Sequence, residues 1–119
     1  MVQPLQPLIK ASDMQLFEAV PGASNRVVRL DERGLPIMIG VSTYAPGTGA
    51  QEHRHPHWQV FVVFEGRGVY SLDGVEVIAE AGDVVAVPPN ALHGFRADGD
   101  APLRHVGIME PHKFARARG

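Results

Sequence analysis

Apolar residues recur along this chain in short runs, many of them β-branched or aromatic, and the runs are parted by glycine, proline and Asx residues. That pattern predicts strands joined by turns, because helical apolar positions would instead repeat every three to four residues. The clearest pair is 67–72 and 75–80 around Asp73-Gly74, a dipeptide suited to a tight hairpin turn. Gly82-Asp83 turns the chain into a strand over 84–87, residues 59–64 form a strand, and 103–109 close the series after a loop at 98–100. Upstream, 36–44 is a strand preceded by a turn at 31–34 and followed by a loop at 46–49. Residues 16–20 and 25–30 read as strands parted by Pro21-Gly22, with Ser12-Asp13 able to cap one helical turn. Pro4 and Pro7 keep 1–12 out of a helix, in an extended path suited to lying across a partner subunit. Many short strands at close intervals predict an all-β barrel or sandwich. The expected division is an extended segment over 1–25, a barrel over 26–110 and a flexible tail over 111–119 that carries Lys113, Arg116 and Arg118.

One stretch breaks this pattern with chemistry. Residues 51–66 carry His53, His55, His57 and Gln59 directly ahead of the strand over 59–64. Side chains two apart on a strand share a face, so His53 and His55 are expected to point the same way. Pro56 should end that strand and leave His57 and Trp58 in a turn, after which Gln59 can face the same interior. His93, which follows a turn-like run over 87–90 and begins a short strand over 93–96, is the candidate from far along the chain. The result is a three-histidine constellation with one glutamine, and clustered imidazoles suit Zn, Fe, Ni and Cu. Phe61, Val63 and Phe95 share parity with Gln59 and His93 and are candidate pocket walls or plain core. His57 is the candidate proton carrier beside the ligands. The orientation of His105 cannot be read, because both faces of its strand look partly apolar.

These spacings resemble the cupin family. Its first motif runs glycine, five residues, His-x-His, three or four residues, glutamate, six residues, glycine, and Gly47, His53, His55, position 59 and Gly66 keep every interval. Gln59 replaces the glutamate. Its second motif runs glycine, five residues, Pro-x-Gly, two residues, histidine, three residues, asparagine, and is met at Gly82, Pro88 and His93. Asn90 stands for the glycine, and asparagine tolerates the left-handed backbone that glycine supplies. Ala97 stands for the asparagine. The resemblance implies a double-stranded β-helix, or jelly-roll, barrel with the pocket inside it. It also implies one divalent transition metal per chain (Fe, Mn, Ni or Zn) bound by His53, His55, Gln59 and His93. A homodimer is expected.

Composition narrows the function classes. The chain has 119 residues, 45% of them hydrophobic and 20% charged, which suits one domain. A net charge of −2 gives no general attraction to nucleic acid or acidic lipid. The absence of cysteine excludes disulfides and thiolate chemistry, and fits the reducing cytosol. The opening residues do not form a secretory signal and no run reaches membrane-spanning length, so a cytoplasmic location is expected. No phosphate-cradling GxxxxGK and no G-x-S-x-G elbow is present. The functional expectation is an enzyme acting on a small oxygenated, anionic, bidentate substrate, as a dioxygenase or as a redox-neutral lyase, isomerase or cyclase. The alternative is a non-catalytic module that binds or senses metal and ligand.

Overall fold

Strands account for most of the computed structural model, which describes residues 7–112 apart from the side chain of Ala19. They are β1 (Gln15–Val20), β2 (Ala23–Arg29), β3 (Met38–Tyr44), β4 (Gly49–His53), β5 (Gln59–Glu65), β6 (Arg67–Leu72), β7 (Val75–Glu80), β8 (Val84–Val87), β9 (His93–Ala97) and β10 (Leu103–Met109). One sheet runs β1-β2-β3-β10-β5-β8 and the other β4-β9-β6-β7, with antiparallel neighbours throughout. The two sheets form the jelly-roll barrel that the family resemblance implies. Among the described residues, no helix is long and apolar enough to cross a membrane.

Period-two alternation explains the interior. On β5, Phe61 and Val63 are buried; on β10, Leu103, His105 and Gly107; on β9, His93 and Ala97. Val63 and Leu103 are almost wholly removed from water, which stabilises the fold by about 1.5–3 kcal/mol for each such side chain. Two positions on the inward faces lack side chains. Gly40 of β3 and Gly107 of β10 are paired in register, and both line the interior space.

The expected elements need a few corrections. The turn at 31–34 is a 3-10 turn over Leu30–Arg33 closed by Gly34 in the left-handed region, and β3 begins at Met38 because 3-10 geometry and Pro36 delay the ladder. The loop at 46–49 is shorter than expected, since Gly49 already belongs to β4. β1 and β2 form a hairpin on the edge of β3, so the division expected at residue 25 falls inside β2. Pro111, expected to open the tail, is fully buried. Residues 1–6 and 113–119 lie outside the described part, and with them most of the expected tail.

Candidate metal centre and cavity

The sheets bring the histidines together at one end of the barrel. His53 closes β4 and His93 opens β9, and the two are register partners in the four-stranded sheet. A register shift between Ala50 and His53 aims His53 inward. Strict alternation from Ala50 would have turned it away, yet both residues line the same cavity. His55 lies past the end of β4 rather than on it, so shared strand parity does not orient it. Its Nδ1 is held by the backbone carbonyl of His57, at 2.8 Å. One ring nitrogen each from His53, His55 and His93 lie within 4.8 Å of one another. Exposure falls across the trio, with His53 exposed, His55 half-buried and His93 buried.

All three rings are tethered alike. Nδ1 of His53 meets the Gln51 carbonyl at 2.7 Å, and Nδ1 of His93 meets that of Ala91 at 2.9 Å, matching the tether on His55. A carbonyl only accepts, so each Nδ1 carries the proton and each Nε2 presents a lone pair. His93 Nε2 is buried without a hydrogen-bond partner. Burial lowers the His93 pKa and so favours the neutral ring, against the Ala91 hydrogen bond, which raises it, and with help from His53 and His55. Gln59 adds an oxygen, with Oε1 3.2 Å from His55 Nε2. In this tautomer both atoms are acceptors, and their close approach is repulsive until a cation or a proton joins them. The donor set therefore fits a divalent transition metal.

His57 does not join the converging nitrogens. Its ring stacks on His55 at 3.8 Å and 5°, and its Nδ1 is buried without a partner. Burial first, then the neighbouring histidines, push its pKa down to about 4 against the opposing charge of Glu110. It is thus a neutral ring packed against His55, at the bend expected after Pro56.

Behind the trio lies a cavity of about 160 Å³. His53 and Gln59 face it at the mouth, and Phe61, Phe95 and Met109 form apolar walls. Val63, a candidate wall residue, is packed instead in the hydrophobic core. Asn25, Ser42, Tyr44 and His105 supply polar atoms. Ser42 Oγ donates to Asn25 Oδ1 at 2.7 Å, and Tyr70 Oη lies 2.7 Å from His105 Nδ1. His105 is enclosed by Tyr44, Phe61, Tyr70 and Phe95, with ring centroids 4.6–6.0 Å away. Among the described residues, none that lines the cavity is an acid or a permanent cation. Larger hollows of about 480 and 490 Å³ lie elsewhere on the barrel, and none of the three clustered histidines lines them.

Sequence reasoning found the clustered histidines and Gln59 but not the polar set of Asn25, Ser42, Tyr44 and Tyr70. These sit on strands whose alternation was legible, although nothing local marks a polar side chain as facing inward.

Residues 40–109, from Gly40 in β3 to the end of β10, match the family model of the cupin domain. The dimethylsulfoniopropionate lyase DddW of Ruegeria pomeroyi is 31% identical over 58 residues, 49% of this chain and 38% of that protein. Gentisate 1,2 dioxygenase 1 of Aquipseudomonas alcaligenes is 33% identical over 90 residues, 68% of this chain and 26% of that one. The chain thus spans well under half the length of these curated relatives. Among solved structures, KdgF from Halomonas sp. superposes with a TM-score of 0.77 at 19% identity, covering 90% of this chain and 94% of that one. A cupin-like protein from Thermotoga maritima gives a TM-score of 0.69 at 30% identity, covering 78% and 71%. With the family model spanning more than half its length, this chain belongs to the cupin family.

Proposed function

We propose that this chain is a metal-dependent cupin enzyme acting on a small oxygenated substrate that binds as a bidentate anion, such as an enediolate or catecholate. The reaction is a dioxygenation or a redox-neutral lyase, isomerase or cyclase step. The observation that carries the proposal is the common tether of His53, His55 and His93, which commits each Nδ1 to a carbonyl and leaves three lone pairs converging beside Gln59 Oε1. Relatives named as a lyase and as a dioxygenase support it.

When bound, the ion (Fe, Mn, Ni or Zn) supplies Lewis acidity and, if it is redox-active, access to dioxygen. Three neutral imidazoles and an amide leave its +2 charge undiminished, and with no acid lining the cavity the site favours an anion. Phe61, Phe95 and Met109 exclude water from the enclosed part of the substrate. His57, stacked on His55, is the nearby imidazole for proton transfer, a weak base because burial holds its pKa at about 4. A cavity holding about five waters' share of volume favours a small substrate over a large polycyclic one.

Elemental analysis of protein purified without a histidine tag, combined with oxygen uptake on catecholates, tests this reading. Iron with oxygen consumption supports oxygenation, and zinc or nickel without it supports the redox-neutral branch. Less than one metal per several chains would overturn the centre. The lack of any acid in the cavity also favours a second reading, a module that binds metal and ligand without turnover. Tight ligand binding with no product would select it.

We also propose a homodimer. β1 is an edge strand, and its hairpin exposes Leu16, Phe17 and Val20. A monomer in sedimentation at about tens of micromolar would contradict this, since obligate interfaces hold well below that.

A further inference from the structure

The cavity contains a fourth histidine in a setting unlike the other three. His105 is 1% exposed, and its Nδ1 faces a hydroxyl rather than a carbonyl. Tyr70 Oη is itself buried and has Nδ1 of His105 as its partner. If the ring donated to that oxygen, the hydroxyl proton would be left without an acceptor in an apolar surround, an outcome costing about 1–3 kcal/mol. Tyr70 therefore donates and Nδ1 accepts, which places the ring proton on Nε2. Among the described residues, the buried side-chain polar atoms without partners are His57 Nδ1 and His93 Nε2. His105 Nε2, which has no hydrogen-bond partner among the described residues, is absent from that pair and so opens onto the cavity it lines.

We propose that His105, set in the Nε2–H tautomer by Tyr70, is the specificity-determining donor of this cavity and holds a neutral oxygen, carbonyl or hydroxyl, at the end of the ligand remote from the metal. The proposal rests on the metal-centre reading above. Three features favour a neutral oxygen over a second carboxylate. Among the described residues no Lys or Arg lines the cavity, aromatic rings surround the donor, and burial already pushes His105 itself down to about 4, so the surround disfavours charge. Asn25 complements the donor. Its Oδ1 accepts from Ser42, which leaves its amide protons for the same ligand. The substrate class becomes a small chelating diol or enediol that carries one further uncharged oxygen.

The test uses full-length protein loaded with a divalent metal, with metal content measured in every sample. Three probes are titrated: 3,4-dihydroxybenzaldehyde, 4-ethylcatechol, which lacks the remote acceptor, and 3,4-dihydroxybenzoate, which carries a charge there. Wild type should prefer the aldehyde to both. His105→Phe and Tyr70→Phe should each lower the aldehyde-over-ethyl preference by about fivefold, the value of one hydrogen bond, with metal content unchanged. The ratio of two probes cancels general damage to the pocket, and Tyr70→Phe serves if His105→Phe folds poorly. Nitrogen-15 spectra of metal-free wild type should show His105 protonated on Nε2, the reverse of His53, His55 and His93. A His105 proton on Nδ1, a preference for the carboxylate, or an unchanged probe ratio at full metal content would overturn this proposal alone. Wild type that holds no metal would overturn the metal centre and this proposal with it.

Discussion

The mouth and the floor of this barrel use the same side chain in opposite senses. At the mouth, backbone carbonyls take the Nδ1 protons of His53, His55 and His93 and so turn their other nitrogens into lone-pair donors. At the floor, the Tyr70 hydroxyl occupies Nδ1 of His105 and turns its other nitrogen into a proton donor. The mouth is graded from exposed His53 to buried His93, whereas the floor ring is enclosed by aromatics. An imidazole's role is thus set by what its hidden nitrogen meets rather than by the residue type.

The largest effect should come from breaking the mouth. His93→Ala removes its most buried histidine and should weaken metal binding by more than about a hundredfold, beyond what loss of an outer hydrogen-bond partner costs. Elemental analysis after dialysis should read a near-empty protein with an unchanged circular dichroism spectrum, because the core is carried by Val63, Leu103 and their neighbours.

Acid separates the two regions next. His105 has a folded pKa of about 4 against an ordinary 6.5, so the native state holds the ring neutral. Above about pH 6.5 neither state binds the proton and the stability is full; as pH falls towards 4 the unfolded chain takes up a proton that the native state refuses. His105 alone should lower the unfolding free energy by roughly 3 kcal/mol across that window in metal-free protein. His57 is depressed into the same range, so His105→Phe should flatten the pH profile without levelling it. Denaturant titrations at a series of pH values give the slope; equal slopes in wild type and variant would contradict the assignment.

Gln59→Glu sharpens the comparison by changing the mouth alone. A carboxylate beside the ion should tighten metal binding by about tenfold, an opposite charge in a partly buried site being worth about 1.4 kcal/mol or more, and should weaken catecholate binding. Neutral diols should change little. Competition with a chelator and a catecholate titration read the two effects separately, and equal catecholate affinity would place Gln59 outside the coordination sphere.

The smallest expected effect concerns how the chain reaches the mouth. Asn90 adopts φ 67°, receives Arg54 on its carbonyl at 2.8 Å and donates its N–H to the His55 carbonyl at 2.9 Å. Asn90→Ala should cost about 1 kcal/mol through the left-handed backbone, whereas Asn90→Gly should be near neutral. Thermal denaturation of the pair distinguishes backbone strain from a lost side-chain contact.

Much of this was legible because it is local. Asp73-Gly74 fixed the hairpin of β6 and β7 at its observed ends, and the His-x-His spacing marked the mouth. The positive φ of Asn90 followed from its place in the second motif. What was not legible depends on distant pairing. The irregularity in β4 arises against β9, and no residue near His53 announces it. His105 escaped orientation because β10 lies between β3 and β5, where its outward residues Val106 and Ile108 are also half-buried and no polarity contrast marks the inner face. The β1–β2 hairpin was read as strands, but its attachment to β3 depends on a register that short, mixed sequences do not declare.

The paired glycines on β3 and β10 give the barrel an adjustable capacity that leaves the three clustered histidines untouched. A methyl at Gly107 would meet Gln59 Nε2 at 3.6 Å and the Phe61 ring at 3.7 Å, ordinary contacts that a mutation could occupy at once. A methyl at Gly40 would come within 2.7 Å of Asn25 Oδ1 and displace the polar group there. Of two neighbouring positions, one tunes volume and the other tunes polarity. Substrate range in such a barrel can drift one carbon at a time along β10, while β3 stays under constraint from the hydrogen bond between Asn25 and Ser42.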